Sequence, residues 1–207
     1  MDKLVFLMRR KEATTRESFF RHYLEFHSLL GLRLVPTLDG YTVNVADVLD
    51  PPEDDICHPD AVVEMWTRDV KVFMDIDQTF DRPDDREIIV WDDATFIGAS
   101  WAWLVEETLV RGALPKGELR TRTEGVKRVS LHGDGFRPQL ARGVVRAVEH
   151  RVISPLMPGR VGETVPEPAP FKADVILSEW APSIEDFGAI EGPAFMLSEY
   201  RQRDSFE

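Results

Sequence analysis

The sequence is poor in the residues that build disulfides, thiolate metal clusters and membrane segments. Its 207 residues include one cysteine, Cys57, which excludes an internal disulfide and a metal site made of several thiolates. No stretch approaches the roughly 20 apolar residues that span a bilayer. The apolar run at residues 4–8 is too short for the core of a signal peptide. These absences predict a protein of the reducing cytoplasm that has no membrane partner.

Basic residues are also in deficit. The chain has 25 Lys and Arg residues against 37 Asp and Glu residues, a formal net charge of -12. A surface this acidic repels phosphate backbones, so a nucleic-acid partner is not expected. The sequence also lacks a GxSxG nucleophile motif and a phosphate-binding P-loop. Serine-hydrolase and P-loop nucleotide chemistry are therefore not expected either.

The first half of the chain alternates strand and helix signals. Residues 3–10 are apolar on both faces, which is typical of a central strand. Thr14 and Glu17 form a capping-box pattern that predicts a helix from about residue 15 to residue 30. The remaining elements predicted in this half are strands at 39–48 and 61–68, a helix at 69–80 and a strand at 87–93. The order β-α-β-β-α-β is that of a ferredoxin-like unit.

A second set of signals follows an apparent linker at residues 111–125. It predicts strands at 126–133, 152–164, 173–180 and 195–201, a helix at 136–150 and a short helix at 183–189. The segment "DAVVEMWTRDVKVF" (60–73) shares its Asp, Trp and Phe with "DVILSEWAPSIEDF" (174–187), which begins 114 residues later. This match in a similar strand–helix context predicts an internal duplication.

Two ferredoxin-like units would each leave one sheet face uncovered, and packing the two faces together buries both. The sequence therefore predicts an α+β fold in which tandem ferredoxin-like units pack sheet to sheet as a fused, pseudo-dimeric α+β barrel. The expected units are 1–110, which carries the site, and 126–207. The second unit lacks a Tyr-x-x-x-His pair, so we expect a structural lid and one ligand per chain. A homodimer of the whole chain is a further expectation.

The helix at 15–30 carries the main candidate residues. Tyr23 and His27 are four residues apart and therefore share one helix face, which is otherwise apolar. This pattern fits either a core histidine bonded to a carbonyl or water, or a proton-transfer group. His22 and His27 differ by about 140° around an α-helix, so they are not expected to bind one metal ion. No metal site is predicted.

Other polar and aromatic residues are candidates for the same pocket. Glu64 and Trp66 alternate onto one face of the strand at 61–68, where a buried carboxylate needs a partner or a proton. One of Glu106 and Glu107 is expected to be the more buried, and alternation alone does not choose between them. Asp92 and Asp93 lack calcium-loop spacing and are interpreted as solvated loop charges. The side chains predicted to contact a ligand are Trp66, Tyr41, Glu106 and His58.

Three segments together resemble the EthD family: "FFRHYLEFHSLLGLRLVPTLDGYTVN", "DAVVEMWTR" and "WLVEETLV". Tyr23 and His27 match the aromatic residue and histidine of the family's helix, and "VEE" at 105–107 matches its later signature. The resemblance extends over residues 3–110. It implies a dimeric α+β barrel fold. Relatives on that fold include cofactor-independent monooxygenases, lactone isomerases, and dehydratases or decarboxylases of aromatic and polyketide-like compounds.

The leading hypothesis is a cofactor-independent enzyme that acts by acid–base chemistry on a small apolar, cyclic or aromatic metabolite. His27 would be the acid or base, and Tyr23 and Glu64 would orient it or the substrate. Isomerase, dehydratase and monooxygenase reactions all remain open. The alternative is a non-catalytic protein that binds a metabolite for a partner enzyme, and haem binding is a third hypothesis. The sequence does not identify the substrate.

Overall fold

The computed structural model describes residues 1–46, 58–75, 77–113, 118–156, 172–189 and 192–203. The strands in these ranges are β1 (Asp2–Arg10), β2 (Leu38–Ala46), β3 (Ala61–Thr67), β4 (Ile97–Arg111), β5 (Val126–His132), β6 (Arg146–Leu156), β7 (Val175–Ala181) and β8 (Ala194–Arg203). The α-helices are α1 (Arg16–His22), α2 (Ser28–Leu34), α3 (Val70–Met74) and α4 (Pro83–Phe96). A π-helical turn (Tyr23–His27) joins α1 to α2, and a 3₁₀ turn lies at Ile184–Asp186.

The eight strands form one closed antiparallel barrel in the order β1-β3-β2-β8-β5-β7-β6-β4. The predicted ferredoxin-like α+β fold, with two units packed sheet to sheet as a dimeric α+β barrel, is therefore wrong. The halves join edge to edge, because β2 pairs with β8 and β4 pairs with β6 through backbone hydrogen bonds. Closure pairs every edge strand, which side-chain packing between two separate sheets does not do.

Helices among the described residues are concentrated in the first half of the chain. The predicted helix at 136–150 is wrong, since residues 136–145 have no regular structure and β6 begins at Arg146. Pro138 and Gly143 oppose a helix there. A side chain at Gly143 would also collide with Asp186, because a Cβ would lie 2.5 Å from the Asp186 Cβ. The periodicity of the apolar residues in this segment belongs partly to the start of a strand.

The segment predicted as a strand at 87–93 is helical and forms most of α4. Pro83 lies in the first turn of this helix, followed by Asp84 and Asp85. Proline is favoured at the start of a helix, and carboxylates there interact favourably with the helix dipole. The predicted helix at 69–80 is shorter than expected and is represented by α3 alone.

The apolar core lies in two layers on opposite faces of β1. Leu4, Phe6 and Met8 pack outward against Phe19 and other helix residues. The alternate residues of β1, Val5 and Leu7, face the barrel interior and join a second cluster that includes side chains from β5, β7 and β8. Because β5 lies opposite β1 in the ring of strands, these contacts cross the barrel. The helices therefore cover the outside of the first-half strands.

The strand order of the first half, β4-β1-β3-β2, recurs in the second half as β8-β5-β7-β6. Lys3 of β1 lies opposite Trp66 of β3, with its ammonium nitrogen 4.2 Å from the Trp66 ring centroid. Lys127 of β5 lies opposite Trp180 of β7, with a corresponding distance of 4.4 Å. These matched pairs favour the predicted duplication, which stays a prediction, as do the domain limits.

Several sequence predictions fall on parts of the chain outside the described residues. These are Cys57, residues 114–117 of the predicted linker, and the continuation of the strand at 152–164 beyond residue 156. Within the described residues, no helix is long and apolar enough to cross a membrane.

Candidate functional site

A cavity of about 210 Å³ lies between the helices and the outer face of the first-half strands. Its wall is mostly apolar, and the side chains that form it include Phe6, Met8, Met65, Phe73, Phe80 and Ile97. Polar groups reach it from His27, Tyr41, Thr79, Asp93 and Ser100. An apolar cavity with a few convergent polar groups is the usual form of a small-molecule site.

The π-helical turn determines how the two helical histidines are arranged. The helix begins after Thr15, whose hydroxyl accepts a hydrogen bond from the Ser18 amide. At residues 23–27 the backbone widens, and the Ser28 amide donates to the Tyr23 carbonyl five residues earlier. Residues five apart therefore come to the same side of the helix, and π-helical turns of this kind are frequent at functional sites. The expectation that His22 and His27 point apart is wrong for this reason.

Both histidines contact one carboxylate, that of Asp92 on α4. His27 Nδ1 lies 2.7 Å from Asp92 Oδ2, and His22 Nε2 lies 2.8 Å from Asp92 Oδ1. Burial alone would raise the pKa of Asp92, but the hydrogen bonds and charge of His27 and His22 bring it below its usual value. Asp92 is therefore ionised and can only accept. It follows that His27 Nδ1 carries a proton, so whenever the ring is neutral its free lone pair is on Nε2.

Asp93 stands on the other side of the His27 ring. Its Oδ1 lies 3.6 Å from His27 Nε2, which is too long for a direct hydrogen bond. Burial raises the pKa of Asp93 to about 6, and repulsion from Asp92 adds to this, although His27 acts in the opposite direction. Asp93 can therefore exchange a proton near neutral pH.

Tyr41, which lines the cavity, is hydrogen-bonded to Tyr23 behind it. The Tyr41 hydroxyl donates to the Tyr23 hydroxyl over 3.3 Å, and the Tyr23 hydroxyl donates to Met8 Sδ over 3.1 Å. Both phenols have a pKa above the ordinary value, and burial is the largest cause. The Tyr23 ring packs edge-on against the His27 ring, with centroids 4.9 Å apart. Tyr23 therefore positions His27 by packing, while its hydroxyl is directed to Met8.

Glu64 does not share this cavity. It lies in the barrel interior, where Lys3 and Lys127 both donate to it and Asn44 Nδ2 lies 3.3 Å away. Burial opposes ionisation of Glu64, but the two lysines outweigh it and hold the pKa well below its usual value. The structure thus brings Tyr23 and His27 together and places the third predicted catalytic residue in a separate ion-pair cluster.

The four residues predicted to contact ligand are also divided. Tyr41 lines the cavity. Trp66 packs against Lys3, and His58 packs edge-on against Phe195, which belongs to the cluster in the barrel interior. Glu106 is exposed, whereas its neighbour Glu107 points inward and bonds to Lys3. Of these four side chains, Tyr41 is the one that the cavity geometry supports.

Glu64, Glu107 and His150 offer ligand atoms within 4.8 Å of one another in the barrel interior. This spacing would suit a metal ion if the carboxylates were free. Lys3 bonds to both Glu64 and Glu107, and Lys127 bonds to Glu64, so ammonium groups already neutralise them. We therefore interpret the cluster as a structural ion-pair network.

Asp92 and Asp93 are the residues of the candidate site that sequence reasoning misses. The apolar run before them resembles a strand, and this places the two aspartates in a loop after it. The starting signals of α4, Pro83 followed by two aspartates, instead place Asp92 and Asp93 near the end of a 14-residue helix. No protein-family model matches the chain, and no curated protein matches its sequence.

Proposed function

We propose that the protein is a cofactor-independent enzyme that moves a proton on a small, neutral, apolar metabolite that is cyclic or aromatic. The observation that carries the proposal is the position of His27 Nε2. Asp92 fixes the opposite ring nitrogen at 2.7 Å, so the free lone pair of the neutral imidazole is directed to the side of the cavity where Asp93 lies. A histidine oriented by a carboxylate is the usual form of a general base.

His27 and Asp93 can divide the acid and base roles. His27 Nε2 accepts a proton from a substrate carbon or hydroxyl group. Asp93, whose pKa of about 6 lets it hold a proton near neutral pH, returns one to a second atom. Two titrating groups in different environments are a common basis for such a division. Removal and return of a proton at different atoms is an isomerisation, and the same pair supports dehydration of a neighbouring alcohol.

The cavity also restricts the substrate. Its volume of about 210 Å³ is below the range of roughly 300–1,000 Å³ that is common for drug-sized ligands. An apolar cavity of about 150 Å³ holds benzene, so one or two rings are the expected size. The described residues that line the cavity include no lysine or arginine, whereas Asp93 is among them. A carboxylate or phosphate on the substrate would find no lysine or arginine partner among these described lining residues. The cavity therefore favours neutral compounds.

Proton exchange with solvent tests this proposal even while the physiological substrate is unidentified. The protein is incubated in D₂O with a panel of small cyclic ketones, lactones and aromatic ketones, and deuterium incorporation is followed by NMR. We expect the wild type to catalyse exchange on at least one compound. His27→Gln should lose at least 100-fold of the exchange rate while still binding the compound. His58→Gln, which changes a histidine outside the cavity, is the control.

Binding without exchange would overturn the catalytic proposal and favour the metabolite-binding alternative. Retained exchange in His27→Gln would overturn the role of His27. We also propose kinship with the EthD family, on the resemblance over residues 3–110, and a cytoplasmic location. Neither is needed for the proton-transfer proposal.

A further inference from the structure

Asp92 connects the buried imidazole of His27 to a second imidazole that reaches the surface. The His22 side chain is 32% exposed, whereas the side chains of His27 and Asp92 are 8% and 1% exposed. One carboxylate oxygen faces each ring, at 2.8 Å and 2.7 Å. The proposed reaction uses His27, the carboxylate of Asp92 that orients it, and Asp93, so the contact between Asp92 and His22 has no part in it so far.

The charges around these three residues favour a single excess proton. Asp92 carries one negative charge and can balance one imidazolium ion. While Asp93 holds its proton, a second imidazolium on the same carboxylate would leave a net positive charge in a largely apolar environment, which is costly. The other titratable groups in contact are Asp93, 3.6 Å from His27 Nε2, and Tyr23, whose ring packs on His27. Around His22 the packed rings are Phe26 and Phe96, which carry no charge.

We propose that His22, Asp92 and His27 form a charge-coupled triad, in which proton uptake by His27 in the cavity is matched by proton release from His22 to water. In the resting state with one excess proton, the charge is on the hydrated ring of His22. When His27 Nε2 takes a proton from the substrate, the electron pair of the broken bond stays on the substrate. His22 then loses its Nδ1 proton to solvent. Asp92 remains a carboxylate and keeps both hydrogen bonds.

This coupling gives the reaction a connection to solvent. The cavity is lined mostly by apolar side chains, whereas His22 is accessible from outside. Release of a proton at His22 keeps the total charge of the triad constant while His27 becomes charged. The contribution of this coupling to catalysis rests on the proposed function. The coupling itself is a property of the protein without substrate.

Imidazole ¹⁵N NMR across a pH series measures the coupling directly. In the wild type we expect the signals of His22 and His27 to share a common titration step, as coupled sites do. His22→Gln can still donate a hydrogen bond to Asp92 but does not titrate. In this variant the His27 signal should lose the step that it shares with His22, keep any step caused by Asp93, and be displaced to higher pH, because no imidazolium at His22 competes. His58→Gln should leave the His27 curve unchanged.

Wild-type curves for His22 and His27 that share no step would overturn the inference, as would an undisplaced His27 curve in His22→Gln. The wild-type curves decide the question if the variant does not fold. The NMR experiment uses no substrate, so its result is separable from the exchange assay. If the NMR curves show coupling but no compound exchanges deuterium, the triad stands and the proposed function is refuted. If exchange occurs without coupling, the proposed function stands and the triad is refuted.

Discussion

Two regions of this protein bury charged side chains, and they do so in different ways. In the barrel interior, Lys3 and Lys127 are matched by Glu64, Glu107 and Glu199 through direct contacts. In the cavity outside the barrel, Asp93 lies 3.6 Å from an imidazole, and the described part of the cavity lining contains no lysine or arginine. In the first region every named carboxylate contacts an ammonium group, whereas the second region leaves a carboxyl group able to gain or lose a proton.

We interpret the difference as a structural use of buried charge in the barrel and the proposed functional use in the cavity. Burial alone raises the pKa of a carboxyl group, and nearby cations reverse the direction. Nearby lysines lower the pKa of Glu64, whereas burial raises the pKa of Asp93, although both side chains are largely enclosed. The interior cluster should therefore matter for stability, and the cavity pair should matter for proton exchange. Substitutions in each region test that division.

The largest effect is expected from Lys127→Met in the barrel interior. Lys127 donates to both Glu64 and Glu199, and its loss leaves two buried carboxylates short of a cation. Breaking a buried ion pair by removing one partner costs about 3–5 kcal/mol. Urea denaturation should show this decrease in the free energy of unfolding. Arg68→Met, which removes an exposed ion pair with Asp39, is the control and should have little effect. Equal effects of the two variants would contradict the structural role of the cluster.

An opposite effect is expected in the cavity from Asp93→Asn. The pKa of Asp93 is about 6 in the folded protein against 3.8 for an ordinary aspartate, so the folded state binds more protons between these values. The wild type therefore loses stability as the pH rises from about 4 to about 6. Asparagine removes this loss and should raise the free energy of unfolding at pH 7 by on the order of 2 kcal/mol.

The gain from Asp93→Asn should disappear near pH 3, where the wild-type carboxyl group is protonated in both states. Denaturation of the two proteins at pH 3 and pH 7 provides the comparison. Glu87→Gln removes a charge from an exposed position on the same helix and serves as the control. A destabilised Asp93→Asn protein at pH 7 would show that the carboxylate has a stabilising partner, and the contrast between the two regions would fail.

A smaller effect is expected from Tyr41→Phe. The substitution removes a hydroxyl that donates to the Tyr23 hydroxyl over 3.3 Å, and it leaves the aromatic packing in place. Loss of one such hydrogen bond costs roughly 0.5–1.5 kcal/mol. Thermal unfolding should detect a modest decrease, without the pH dependence of the Asp93 variant. An effect as large as that of Lys127→Met would mean that the hydroxyl pair belongs to a wider polar network.

Much of the strand content of this fold is readable from the sequence, but its closure is not. Alternation and apolar runs locate β1, β2, β3, β5, β7 and β8 close to their observed positions. Which strands pair at the edges depends on contacts far apart in sequence, such as those between β2 and β8. Local periodicity carries no information on such pairing. The second-half helix fails because Leu140, Val144 and Val148 satisfy a helical period in a segment that Pro138 and Gly143 prevent from forming a helix.

The candidate site is predictable in part for similar reasons. Tyr23 and His27 stand out because both lie on one recognisable amphipathic helix. Their arrangement with His22 is not predictable, since no local pattern marks the π-helical turn. Asp92 and Asp93 are missed through an incorrect secondary-structure assignment. The sequence correctly marks Glu64 as a carboxylate that needs a partner. Its direction into the barrel depends on Lys3 and Lys127, which are separated from it by 61 and 63 positions in the sequence.

The most direct test of the account compares the deuterium-exchange rates of one interior variant and one cavity variant, each expressed per folded molecule. The two proteins are Lys127→Met and His27→Gln, assayed with the compound that the wild type exchanges fastest. We expect Lys127→Met to be less stable but to exchange at close to the wild-type rate. His27→Gln should remain folded and lose at least 100-fold of the rate. Retained exchange in His27→Gln, together with lost exchange in folded Lys127→Met, would contradict the account and move the chemistry to the barrel interior.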